Sequence, residues 1–124
     1  MKNDIKVLTF SLIIVLSIIL SGNLIKSYLE ESTSKLLYQL ESIEQQISRE
    51  NWDKAHSQIL SMDKDWNKTE GLWAIFIHHH EIDNITVYLK SSLTFIKQYD
   101  KVDALYSLSV LKHYISHIPE MESL

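Results

Sequence analysis

The chain has 124 residues and a formal net charge of −4 at neutral pH, with two Gly, one Pro and no Cys. This length suits one domain with a single core, and the scarcity of turn-forming residues favours an all-α protein. The net charge is negative and no stripe of basic residues is found, so nothing in the sequence indicates nucleic-acid binding. The lack of Cys excludes disulfides, thiolate catalysis and Cys-based zinc sites.

A membrane-spanning helix is predicted over residues 7–25, after a short tail over residues 1–6. Residues 7–25 contain no charged side chain. As a helix they would be about 28 Å long, close to the hydrocarbon thickness of a bilayer, so lipid is an expected partner. The alternative is a cleaved secretory signal. Its cleavage site would place Ile19 or Leu20 where a small residue is needed, which favours an uncleaved anchor.

The side of the membrane is indicated mainly by the shortness of the N-terminal tail, which favours a cytoplasmic N-terminus and an extracytoplasmic domain. The flanking positive charges are nearly even, since Lys2 and Lys6 before the span face Lys26 and Lys35 after it. Leu29 follows the span almost at once and begins an apolar stripe. We therefore expect the membrane helix to continue into the first domain helix without a flexible linker.

Residues 26–124 are predicted to form a four-helix domain of two αα-hairpins, over residues 29–68 and 70–118. Apolar residues at helical spacing mark each helix, Asn51 and Asp100 are expected to cap the second and fourth helices, and Pro119 is expected to end the last one. The predicted inward positions of the first helix are Leu29, Thr33, Leu36, Leu40, Ile43 and Ile47; those of the third are Leu72, Ile75, His79, Ile82, Ile85, Leu89, Leu93 and Ile96.

An internal repeat is indicated when the chain is compared with itself at an offset of 49 residues. The aligned pairs include Leu36 with Ile85, Leu40 with Leu89, Ile47 with Ile96, Ala55 with Ala104, Ile59 with Leu108, and Met62 with Leu111. This pattern is typical of degenerate helical hairpins and has some likeness to tetratricopeptide units. The alternative is that any two amphipathic helices align at some offset.

Histidines at two places in the sequence form the most distinctive polar pattern. His79 precedes Asp83 by four residues and His113 precedes His117 by four, so each pair shares one face of its helix, at similar heights in the second hairpin. Zinc accepts imidazole nitrogens and carboxylate oxygens. Three interpretations stay open: a structural polar network of His79, Glu81, Asp83 and His117, solvated surface histidines, or a metal- or pH-sensing site.

The three tryptophans, Trp52, Trp66 and Trp73, are spaced for packing within helices, and core packing is favoured over a ligand-stacking surface. Trp66 and Trp73 are expected to hold one hairpin against the other. No phosphate loop, nucleophile elbow or converging pair of carboxylates is found, so the sequence predicts no enzyme and no cofactor.

Several motifs follow one another in a characteristic order: Asn51-Trp52-Asp53-Lys54-Ala55, Trp66, Trp73, His79-His80-Glu81-Ile82-Asp83-Asn84-Ile85, Ala104 and His117-Ile118-Pro119-Glu120. This order resembles domain-of-unknown-function family 4363. That resemblance implies a short, single-pass membrane protein of spore-forming, mostly clostridial, bacteria, and it brings no established activity. It covers nearly the whole chain and places the family's most recognisable polar positions at His79, Glu81, Asp83 and His117.

Three functions are expected from these features. The leading one is a protein-protein interaction or scaffold module that binds another membrane protein at the surface of a bacterial cell or spore membrane. The second is a metal- or pH-sensing module built on His79, Asp83, His113 and His117. The third is a spacer that self-associates through the apolar stripe of the first helix.

Overall fold

The computed structural model describes residues 1–121, with side chains to residue 119. The regular structure of that range consists of α1 (Lys2–Ser48), α2 (Trp52–Trp73), α3 (His79–Lys97) and α4 (Lys101–Met121). The all-α class is confirmed. The predicted end of the domain at residue 124 lies outside the described residues.

Helix α1 is one uninterrupted helix of 47 residues, which corresponds to a length of about 70 Å. Its most apolar stretch has a mean hydropathy of 2.3 and is 0 % buried, and its first buried side chain is that of Leu29. The chain therefore has one helix that is long and apolar enough to cross a membrane. The same helix enters the folded domain without a linker, as the position of Leu29 predicted.

The four helices form a closed ring of neighbours, because α1 packs against α2 and α4, and α3 also packs against α2 and α4. Short connections make successive helices antiparallel, which is the arrangement of a four-helix bundle. The return of α4 to α1 distinguishes this bundle from an open stack of hairpins, and the likeness to tetratricopeptide units stays a prediction.

The core lies between the four helices and is mainly aliphatic. All six inward positions predicted on α1 are buried, and they are covered by α2 and α4. Self-association of intact bundles through this stripe would therefore require the bundle to open. The largest side chains with almost no exposure are Trp66, Trp73, Leu29, Leu40, Ile43, Ile47, Ile59, Met62, Ile85, Leu89, Ile96 and Leu108.

The connection between α2 and α3 differs from the predicted one. Helix α2 continues to Trp73, and residues 74–78 form a tight turn before α3 begins at His79. Thr69 and Gly71, which lie at the predicted boundary, are within α2. Nothing lies within 4 Å of a Cβ atom added to Gly71, so this glycine serves no close packing contact. The hairpin boundary predicted near residue 69 therefore moves to the turn.

The turn after α1 and the turn after α3 have the same geometry at a spacing of 49 residues. Glu50 and Tyr99 both adopt φ of 57°, and the next residue's amide in each turn donates to a carbonyl five residues back, Asn51 to Gln46 at 2.8 Å and Asp100 to Phe95 at 2.9 Å. The buried positions on either side match at the same spacing. Both turns are therefore helix C-terminal caps of one kind, made without glycine.

The left-handed conformation of Glu50 makes a specific substitution informative. We expect Glu50→Gly to raise the free energy of unfolding by about 1 kcal/mol, because glycine removes the Cβ clash of that conformation. The melting temperature should rise by about 4–8 °C in a domain of this size. Circular dichroism in mild detergent would measure the shift. Glu50→Ala is the matched control, and equal melting temperatures for the two variants would contradict the assigned backbone.

The two predicted caps differ in the structure. The Asp100 side chain accepts a hydrogen bond from the backbone amide of Asp103 at 3.1 Å and so caps α4. A side-chain hydrogen bond with Asp100, together with the negative charge of Asp100, raises the pKa of the Asp103 carboxyl. Asn51 instead donates from its side-chain Nδ2 to the side-chain Oε1 of Gln46 at 3.2 Å. Pro119 does not end α4, which continues to residue 121. A proline this close to a helix end removes only one backbone hydrogen bond.

Candidate functional site

The histidines of α3 lie at the surface. His79 is the first residue of α3, and His78, His79 and His80 are all exposed. The sequence predicted His79 at an inward position because its phase was taken from Leu72 and Ile75. In the structure the turn breaks that phase, and Ile77 is the buried side chain that precedes α3.

The histidines of α4 contact each other instead of α3. The rings of His113 and His117 lie with their centroids 4.3 Å apart, and Nδ1 of His117 is 2.8 Å from the backbone oxygen of His113. That distance makes Nδ1 the protonated nitrogen, since a carbonyl oxygen can only accept. Both side chains are exposed. The arrangement is a local one within a single helix turn.

No three His, Cys, Asp or Glu side chains converge as a metal-binding group anywhere in the described part of the chain. The four candidates His79, Asp83, His113 and His117 therefore do not form one site. The predicted polar network is not assembled either, because His79, Asp83 and His117 point into solvent and Glu81 is only half-buried. Of the three interpretations, solvated histidines describe this arrangement.

Two of the tryptophans form a pair inside the bundle. Trp66 and Trp73 meet edge to face with ring centroids 5.3 Å apart and planes at 89°. Trp66 Nε1 donates to Thr86 Oγ1 on α3 at 2.9 Å, and the Thr86 hydroxyl in turn donates to Glu70 Oε2 at 3.2 Å. This chain of hydrogen bonds joins the two hairpins. Both tryptophans lie in α2, so the join is made by Trp66 and Thr86 and not across the turn.

Trp52 lies at the opposite end of the bundle from Trp73. It is half-buried and meets the ring of Tyr99 edge to face at 5.5 Å. The contact links the start of α2 to the turn before α4. It therefore packs one of the two equivalent turns against the beginning of a neighbouring helix.

A buried hydroxyl pair on α3 and α4 was not predicted from the sequence. Ser92 and Ser107 are almost fully buried, and their Oγ atoms are 2.9 Å apart. Each also lies within reach of the carbonyl oxygen of Tyr88, at 2.7 Å and 3.1 Å. One hydroxyl donates to the other and the second donates to the carbonyl, so both are satisfied. These small side chains let α3 and α4 approach closely.

A groove of about 200 Å³ runs between α1 and α2. Within it, Gln58 donates to the hydroxyl of Ser42 at 3.0 Å. The carbonyl oxygens of Gln39 and Gln58 are buried there without a hydrogen-bond donor among the described residues. Tyr38 at its edge is 75 % exposed. The groove thus presents one exposed aromatic ring, beside two side-chain amide oxygens that are buried without a donor.

Ion pairs connect the helices around the outside of the bundle. Lys90 on α3 lies 2.8 Å from Asp63 on α2, and Lys112 on α4 lies 3.5 Å from Glu44 on α1. Such exposed pairs contribute at most about 1 kcal/mol each. They stabilise the arrangement of the helices slightly and indicate no catalytic or binding site.

Comparison with known proteins gives one match. The model of the family described as Domain of unknown function (DUF4363) matches residues 24–124. No curated protein and no solved structure matches the chain. The match covers the whole helical bundle and begins at the end of the apolar stretch of α1. The chain therefore belongs to the DUF4363 family.

Proposed function

We propose that this protein is a non-enzymatic interaction module, held in a bacterial membrane by α1, that binds a neighbouring membrane protein. The continuity of α1 carries the proposal. A single helix includes both the exposed apolar stretch and the buried stripe that begins at Leu29. The bundle then stands close to the bilayer in a restricted orientation, which favours contact with a membrane neighbour over capture of a soluble ligand.

The groove between α1 and α2 is the surface where we expect that contact. The exposed ring of Tyr38 offers the partner an aromatic contact. Rotation of the Gln39 or Gln58 side chain would bring its buried amide oxygen to a donor of the partner, which would remove the cost of an unpaired acceptor. Tyr38, at the edge of the groove, is 13 residues after Ile25, or about 20 Å along the helix axis. The partner must therefore have a part that rises at least that far above the membrane.

Site-specific crosslinking tests the proposal cleanly because the chain contains no Cys. Ser61→Cys, at the groove, and Val102→Cys, on α4, would each carry a photoactivated crosslinker in cells. We expect a crosslinked membrane protein from Ser61→Cys and little from Val102→Cys. Reaction of Val102→Cys with a membrane-impermeant maleimide in intact cells would also test the extracytoplasmic placement of the bundle.

Substitution of the aromatic ring separates a specific contact from chance proximity. Tyr38→Ala is expected to reduce the Ser61→Cys crosslink several-fold, whereas Tyr106→Ala should leave it unchanged. The two tyrosines are a matched pair, since they are 75 % and 65 % exposed. Crosslinks of equal yield from both positions, or a yield indifferent to Tyr38, would count against the groove as the binding surface.

A further inference from the structure

Two large apolar side chains are exposed at the end of the bundle where α1 enters. Leu72 is 46 % exposed and Ile75 is 71 % exposed, while Trp73 and Ile77 on either side of Ile75 turn into the core. Burial of these two forces Ile75 outward at the tip of the turn. The neighbouring Phe76 is half-buried against the core. The tip is therefore apolar, and the side chains of Leu72 and Ile75 are left largely uncovered by the bundle's own core.

The height of this tip follows from the antiparallel pairing of α1 and α2. Glu50 lies at the turn between them, and Ile25 and Ile75 are each 25 residues away from it. At an equal rise per residue the two isoleucines lie at about the same height. Ile25 is the last residue of the uncharged stretch. The apolar tip is thus at the level where the predicted span leaves the hydrocarbon.

The side chains close to that level are of the kinds found at membrane interfaces. Lys26 follows the span directly, and Tyr28, which is 37 % exposed, lies at the height of Leu72 by the same count. Tyrosine and lysine are favoured where a helix passes through the headgroup region. The acidic residues Glu30 and Glu31 lie about 8 Å from Ile25 along the helix axis, on the side away from the span. The apolar side chains of the tip and these two acidic side chains therefore lie at different distances from the end of the span.

The backbone amides of the turn already have hydrogen-bond partners, so the turn can lie where little water is present. The amides of Ala74, Ile75, Phe76 and Ile77 all donate to carbonyls of the last turn of α2, over 2.8–3.2 Å. Amides without partners would be costly near lipid. The α2–α3 turn therefore presents apolar side chains on a backbone whose donors are already satisfied.

We propose that the end of α2 together with the first part of the α2–α3 turn, residues 72–76, is a second membrane contact, with Ile75 and Leu72 in the interfacial region of the bilayer beside the span. This inference rests on the anchoring proposed for α1. The continuity of α1 keeps the bundle close to the bilayer, but α1 alone still allows the bundle to rotate about the helix axis and to change its tilt. A second contact, displaced sideways from α1, fixes both angles and so fixes the direction that the α1–α2 groove faces.

Lipid quenching tests this contact in the full chain reconstituted into vesicles of phosphatidylcholine and phosphatidylglycerol. Three single-cysteine variants, Leu12→Cys, Ile75→Cys and Val102→Cys, would carry a small bimane fluorophore. With acyl chains brominated near the headgroup, we expect Leu12→Cys and Ile75→Cys to lose most of their emission and Val102→Cys to lose little. Val102 is the matched control, because it is 78 % exposed at the other end of the bundle.

The three positions separate failure of the inference from failure of the anchor. Quenching at position 12 without quenching at position 75 overturns the second contact alone, whereas no quenching at position 12 overturns the anchor itself. The unlabelled thiol at position 75 should also react several-fold more slowly with a charged maleimide than the thiol at position 102. A slow thiol without lipid quenching would mean that a second copy of the chain covers the turn, and it would overturn the proposal.

Discussion

Replacement of Trp66 by Ala is expected to lower the free energy of unfolding by about 3–5 kcal/mol. The side chain is 1 % exposed, and its loss would remove both the edge-to-face contact with Trp73 and the hydrogen bond to Thr86. Domains of this size are stable by only about 5–15 kcal/mol. The melting temperature, followed by circular dichroism in mild detergent, should therefore fall by more than about 10 °C.

Two further variants show which part of the Trp66 contact matters. Thr86→Val keeps the shape of the site but removes the acceptor, and we expect it to cost about 1–3 kcal/mol because the indole N–H stays buried. Trp52→Ala is the matched truncation at a half-buried tryptophan and should cost clearly less than Trp66→Ala. Equal losses for Trp52→Ala and Trp66→Ala would contradict the central position of the tryptophan pair.

Two lysines in the apolar part of α1 are expected to release the protein from the membrane. Ile14 and Ile18 lie in the stretch that is 0 % buried. Insertion of a lysine at the centre of a span costs about 3 kcal/mol, so Ile14→Lys with Ile18→Lys should cost about 6 kcal/mol. After a carbonate wash, the wild-type chain should stay in the membrane pellet and the double variant should leave it.

The matching control places the same two charges on the bundle. Val102→Lys with Tyr106→Lys changes exposed positions on α4 and should leave the protein in the pellet. Immunoblotting of the pellet also separates an anchor from a cleaved signal, since the uncleaved chain has a mass of 14.5 kDa. A shortened wild-type band in the soluble fraction would contradict anchoring by α1.

The helices themselves could be predicted because burial repeats at helical spacing. On α1 every predicted inward position is buried, and on α4 the buried apolar side chains also repeat at helical spacing, at Ala104, Leu108, Leu111, Ile115 and Ile118. The turn between α2 and α3 could not be predicted in the same way. It is built from Ala74, Ile75, Phe76 and Ile77 without Gly or Pro, so its residues resemble a continued helix. Only the packing of Trp73 and Ile77 into the core shows where the chain reverses.

The inward position predicted for His79 was wrong for the same reason. Once the phase of α3 is set from Ile82 and Ile85 instead of Ile75, His79 faces outward. Two side chains at equal heights on neighbouring helices come together only if each side chain also points toward the other helix. The exposure of Ile75, which carries the proposed lipid contact, follows from the same turn. It could be found only with the turn in place.

The equivalence of the two hairpin turns also says how the halves of the bundle meet. The 49-residue offset carries α1 onto α3 and α2 onto α4, so the packing of α1 on α4 corresponds to the packing of α3 on α2, and both pairs are in contact. That correspondence is the mark of an isologous interface, in which two identical subunits exchange the same surface across a twofold axis. The bundle thus has the helix arrangement that two copies of one hairpin would adopt around such an axis. Only the first hairpin continues into the long apolar stretch of α1, so the correspondence between the two halves does not extend to that stretch.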